Sequence, residues 1–160
     1  MIQSILVPVD GSANSDKAVA IGADIASKYN AKLHLLNVLL YGHVPDSIRN
    51  LSDKKGKEEP PIAVGAGYVE ASLPHEVLED IAAKLLERAK KTAEEHGASD
   101  ISTNWRGGST TEGILEQAKE VETDTIVMGS RGLSNLKGLV IGSVSHKVQH
   151  LFEGTVITVK

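Results

Sequence analysis

The chain contains no cysteine, which removes disulfides, thiolate metal sites, iron–sulfur clusters and thiol catalysis together. Aromatic residues make up only 3% of it, one Phe, one Trp and three Tyr. That is too few for the stacking platforms that hold single-stranded nucleic acid, or to surround the ring of a flavin. No run approaches the roughly 20 apolar residues that span a bilayer. The N-terminus has no basic segment of the kind that opens a signal peptide, and Asp10 cuts short its first apolar run. No G-x-x-x-x-G-K-[S/T] loop is present, and Gly65-Ala66-Gly67 does not extend to G-x-G-x-x-G. These absences exclude P-loop hydrolysis and dinucleotide binding of the usual type. They lead to the expectation of a soluble cytoplasmic protein without membrane insertion.

What is there is ordinary for a globular domain: 160 residues, 41% hydrophobic and 24% charged. That length predicts one domain, residues 1–160, with a core large enough to need no staple. The net charge of −4 disfavours non-specific binding to nucleic acid. It is unevenly spread. Residues 131–160 carry Arg131, Lys137, Lys147 and Lys160 against Glu153 alone, a locally basic region that suits one anionic ligand or an ordinary solvated patch.

Hydrophobic periodicity orders the chain. Ser4 to Val9 is a short β-branched run ending at Asp10-Gly11-Ser12, which reads as a strand buried on both faces and then a turn. A helix follows from Asn14 to Tyr29, with Ala18, Ile21, Ile25 and Tyr29 on one face, then a second strand from Lys32 to Leu40. Residues 41–73 change character, being charged and rich in Gly and Pro, and predict a variable loop. Val77, Leu78, Ile81, Leu85, Ala89 and Ala93 mark an amphipathic helix from Pro74 to His96. Ile101 to Arg106 is a weak strand, and Ser109 to Glu112 has capping-box spacing ahead of a helix. Thr125 to Met128 and Thr155 to Val159 are further strands, separated by a helix from about Ser143. Alternation of this kind predicts an α/β fold, a parallel sheet with helices on both faces. Ligands in such sheets sit beyond the carboxyl ends of the strands.

One such end carries the chemistry. Met128 leads into Gly129-Ser130-Arg131-Gly132, and ten residues after Gly132 come Gly142-Ser143-Val144-Ser145 at the start of a helix. Glycines after a strand allow close backbone approach, and a helix N-terminus offers unpaired N–H donors to phosphate. Ser143 and Ser145 add hydroxyls and Arg131 a cation. Either half alone also occurs in α/β proteins that bind nothing. His146 and His150 are four apart, but no third zinc ligand accompanies them. No metal site from protein groups is expected.

The full spacing, Gly129-x2-Gly132-x9-Gly142-Ser143, resembles the nucleotide-binding signature of the universal stress protein family, G-x2-G-x9-G-[S/T]. Ile5 to Ser12 resembles that family's opening strand and turn, and Ile126 to Gly132 its fourth-strand passage. The resemblance implies a doubly wound, five-stranded parallel sheet of order 3-2-1-4-5. It also implies an adenine nucleotide, ATP or ADP/AMP with Mg2+ as the accompanying ion. Pro8, Val9 and Asp10 would lie against adenine and ribose, with Asp10 accepting from ribose hydroxyls and the Val38 backbone meeting the adenine edge. Met128, Gly129, Arg131 and Gly132 would wrap ribose and phosphates, and Gly142, Ser143, Val144 and Ser145 would hold the terminal phosphates. Plain core packing is the competing reading for Pro8, Val9 and Val38. No residue is assigned to catalysis, because no positioned base for attack on a γ-phosphate can be named, so slow hydrolysis is the most that is expected. A homodimer is predicted through Thr155, Val156, Ile157, Thr158 and Val159, an uncharged edge strand. The alternative function is a partner-binding dimer of this fold that makes no use of nucleotide.

Overall fold

A computed structural model of the chain describes residues 1–39, 44, 46–53, 63–64, 67–68, 74–133 and 142–160. Along it run β1 (Ser4–Pro8), α1 (Ala13–Tyr29), β2 (Lys32–Leu39), α2 (Asp46–Arg49), β3 (Ala63–Val64), β4 (Gly67–Tyr68), α3 (His75–Glu95), β5 (Ile101–Gly107), α4 (Thr110–Glu120), β6 (Thr125–Gly129), α5 (Ser143–Leu151) and β7 (Thr155–Val159). Five strands form one sheet in the order β5-β2-β1-β6-β7, every pair parallel. Counting only these five, the order is the expected 3-2-1-4-5.

The central strands are apolar throughout because each buries both faces. On β1, Ile5 and Val7 pack with Ala18 and Val19 of α1 and with Leu86 and Ala89 of α3. Leu6 points to the other face, toward Ile114 and Ala118 of α4 and Val148 of α5. The ladder between β1 and β2 runs to Pro8–Leu36, and Val9 N–H still donates to Leu36 O at 2.7 Å. The ladder between β1 and β6 holds only Ile5–Thr125 and Leu6–Ile126. The sheet therefore loses its pairing early between its two middle strands, at the point where strand order reverses and a crevice is expected.

Three readings of the sequence need correction. The face of α1 is only in part Ala18, Ile21, Ile25 and Tyr29: Ala18 is buried and Ile25 packs on the core, but Ile21 is 38% and Tyr29 52% exposed, and the buried side is Ser15, Ala18, Val19, Gly22, Ala23 and Ala26. Small residues win because α1 lies very close to the sheet; a Cβ on Gly22 would come 2.7 Å from Val7 Cγ2. Ser109 does occupy the N-cap of α4, but its side chain makes no capping hydrogen bond; the cap that forms is at α1, where Ser12 Oγ accepts from Ser15 N at 3.2 Å. Finally, the 41–73 stretch is not all loop. It contains α2 and the antiparallel pair β3–β4, and Ile48 is 4% exposed in a third apolar cluster with Leu39, Val77, Leu78, Ile81 and Leu85.

Candidate functional site

A cavity of about 340 Å3 opens at the break between β1 and β6. All twelve residues proposed for the nucleotide line it: Pro8, Val9 and Asp10 from the end of β1, Val38 from β2, Met128, Gly129, Arg131 and Gly132 from the end of β6, and Gly142, Ser143, Val144 and Ser145 from the start of α5. Residues 134–141, between the two halves of the glycine signature, lie outside the described residues.

One part of the cavity is an apolar slot, with Leu36 and Ile114 joining Pro8, Val9, Val38 and Met128. Val38 presents backbone there. Residues 32, 34 and 36 of β2 bond to β1, so the N–H and C=O of Val38 lie on the same strand edge, one step past the last rung. Val9 O, which would have received the Val38 N–H, instead accepts from Asn37 Nδ2 at 2.7 Å. Asn37 is buried, and its Oδ1 is sealed from solvent without a partner. An acceptor shut off in this way does not face the open cavity.

The other part is built on α5. Its first ladder bond is His146 N to Gly142 O at 3.0 Å, which leaves the N–H groups of Ser143, Val144 and Ser145 outside the helical ladder. The positive end of the helix dipole adds to their pull on an anion. Ser143 and Arg131 are exposed, whereas Ser145 is buried. The Ser145 hydroxyl turns inward, 2.9 Å from Ser130 O and from Gly142 O. A hydroxyl has one proton to give, so Ser145 offers the cavity its backbone N–H first.

Ser130, a buried residue that sequence reasoning passed over, organises this end. Its N–H donates to Val159 O at 2.7 Å, and its carbonyl accepts from Gly142 N at 2.7 Å. The signature glycines make room for the chain itself. A Cβ on Gly142 would stand 3.2 Å from Ser130 O, and one on Gly129 would stand 3.1 Å from Arg131 O. One on Gly132 would fall on the Asp10 carboxylate. That carboxylate is held by Ser12 N at 2.9 Å on Oδ1 and Leu133 N at 3.2 Å on Oδ2. Each oxygen keeps a further lone pair, so the group can still accept from a ligand hydroxyl.

Ile48, Thr110, Ile114 and Leu133 also line the cavity without having been singled out. Ile114 lies on the buried face of α4, where an apolar residue signals a core position and no more, and nothing in the sequence connects Ile48 to residues so far along the chain. Among the described residues there is no group of His, Asp or Glu that could hold a metal ion, and no helix is long and apolar enough to cross a membrane. The strand Thr155–Val159 stands at the sheet edge as expected, paired among the described residues to β6 alone.

Known proteins match this chain along its full length. The Universal stress protein family matches residues 1–160. The universal stress protein YxiE of Bacillus subtilis is 33% identical over 163 residues, covering 100% of both chains. A universal stress protein solved in complex with cAMP is 26% identical, with a TM-score of 0.70 over 99% of this chain and 97% of that one. One from Archaeoglobus fulgidus in complex with dAMP has the same fold at 20% identity, with a TM-score of 0.66 over 100% of both chains.

Proposed function

This chain belongs to the universal stress protein family, and from that premise we propose that its cavity binds an adenine nucleotide, ATP or its ADP and AMP relatives, in a stress-response or regulatory role. The observation that carries the reading is the meeting, in one cavity, of an apolar slot bordered by free strand backbone at Val38 with the open N-terminus of α5. The slot and the Val38 edge suit adenine, Asp10 suits the ribose hydroxyls, and the N–H groups of Ser143, Val144 and Ser145, with Arg131 beside them, suit phosphate. The relative solved with cAMP holds a ligand of the same class. Mg2+ would come as the ion of a bound polyphosphate, held by its oxygens.

The test is a thermal scan of protein stripped of nucleotide. ATP at 100 times its dissociation constant adds about 2.7 kcal/mol, a rise in Tm of roughly 5–10 °C at this size. Gly142→Val, which forces a side chain against Ser130 O, should abolish the rise. Asp10→Ala should reduce it, since a hydrogen bond to a charged group is worth about 1.5–3 kcal/mol. No shift for the wild type in millimolar ATP would count against the reading.

We also propose that the protein is a homodimer joined through β7, whose outer edge has no partner strand among the described residues. A dimer that recognises another protein and leaves the cavity unused is the competing function. Mass identification of any nucleotide that co-purifies with the protein separates the two.

A further inference from the structure

Among the described residues, the stretch 46–53 bears on the cavity through one side chain, and two side chains of α3 bond to it. The side chain is Ile48, which lines the cavity while packed among Leu39, Val77, Leu78, Ile81 and Leu85. It lies over the turn after β1, where a Cβ on Gly11 would come 3.3 Å from Ile48 Cγ2. Leu133 packs on the same cluster, and Leu133 N–H is the donor that holds Asp10 Oδ2. Ile48 thus forms a wall beside the proposed ribose site and backs one of its supports.

A four-residue helix does not hold itself together. Ile48 and Leu51 pack on the apolar cluster beside α3, and among the described residues a pair of charges one turn apart on α3 fastens the stretch that follows the helix. Lys84 Nζ donates to Leu51 O at 2.7 Å and pairs with Asp53 Oδ2 at 2.6 Å. Asp80 Oδ2 accepts from Ser52 Oγ at 2.7 Å and from Asp53 N at 3.2 Å, and Lys84 Nζ lies 3.6 Å from it. The Ser52 hydroxyl bond, outweighing partial burial and helped by Lys84, keeps the Asp80 carboxyl below its ordinary range. The pair therefore stays ionised at neutral pH. Asp53 is 95% exposed, so its ion pair contributes little; the bonds to Leu51 O and from Ser52 Oγ are partly buried and matter more.

We propose that Asp80 and Lys84 are positioning residues for nucleotide binding: they latch residues 51–53 to α3 and thereby hold Ile48 in place as a wall of the cavity next to Asp10. The proposal rests on the reading of the cavity as a nucleotide site. Neither residue touches the cavity, so both act through the population of closed protein, and apparent affinity falls in proportion to that population.

The experiment is calorimetric titration of the full chain with ATP, read beside the emission of Trp105, the single tryptophan, which packs against the same cluster. Lys84→Met keeps the aliphatic stem and loses the charge; Asp80→Asn keeps the shape. Each should raise the dissociation constant about 3- to 10-fold and shift Trp105 emission to the red, and Lys84→Arg should recover most of the loss. In an Ile48→Ala background, Lys84→Met should add no further loss, because the wall it positions is already gone. Unchanged affinity in both single variants overturns the latch, whatever Trp105 does. So does full additivity with Ile48→Ala, the mark of general destabilisation. A wild type that binds no ATP overturns the nucleotide reading itself and the latch along with it.

Discussion

Asp124 and His34 give this fold two distinct sensitivities to acid. Burial pushes the Asp124 carboxyl up, but donation from the Thr125 hydroxyl and the N–H groups of Gln3 and Ser4 outweighs it and holds the group below its ordinary range. A carboxyl depressed in the folded state contributes stability above its unfolded pKa and loses it as pH falls through the folded value. His34 is also depressed, chiefly by burial, with Asp100 opposing and Lys32 reinforcing; its Nδ1 lies 2.6 Å from Ser102 Oγ and its Nε2 is buried without a partner. Here the unfolded chain takes up the proton first, so stability falls as pH drops from about 6.5 toward the lower folded pKa. Urea unfolding between pH 8 and 3 should show both losses. His34→Gln should flatten the first and Asp124→Asn the second, at the expense of some stability at neutral pH. An unaltered profile in either variant refutes the corresponding assignment.

At the scale of elements, α1 makes the clearest prediction. Ala in place of Gly22 gains roughly 1 kcal/mol of helix propensity, yet its Cβ would meet Val7, which is fully buried and stiff at χ1. Gly22→Ala should therefore lose about 1–3 kcal/mol of unfolding free energy, while Ile21→Gln, on the exposed side, should stay near neutral. An Ala variant as stable as wild type would show that α1 can withdraw from the sheet. The same helix shows where sequence reading fails. The face of α3 was legible because Val77, Leu78, Ile81 and Leu85 are large and buried. The face of α1 was misread because Ile21 and Tyr29, two of its large residues, turn to solvent, while the small Ala18, Gly22, Ala23 and Ala26 lie on the buried side. Strands buried on both faces announced themselves as apolar runs, whereas α2 has no period long enough to detect and is followed by residues bonded to α3. Within the site, the glycine spacing located the two halves. It could not reveal that Ser130 joins them or that Ile48 and Leu133 wall the cavity, since those contacts depend on where distant segments meet.

For the whole molecule, the proposed dimer is tested at the residues whose N–H groups face outward. Thr155 N donates to Asp124 O and Val159 O accepts from Ser130 N, so Thr155, Ile157 and Val159 bond to β6, and Val156 and Thr158 present the free edge. Thr158→Pro should leave the sheet intact and convert a dimer to a monomer in light scattering, because it removes an outward donor; a wild-type monomer at high concentration, or a dimer unchanged in a folded Thr158→Pro variant, rejects the proposal. Proline at Ile157 would damage the ladder to β6 and decide nothing. The bond from Ser130 N to Val159 O has a further consequence, one of timing. The cavity takes one wall from Asp10 and has another braced by Val159, and at about 5–20 residues per second a ribosome needs roughly 7–30 s to get from the first to the second. Throughout that interval the nascent chain holds the opening turn of the cavity without the bond that braces Ser130.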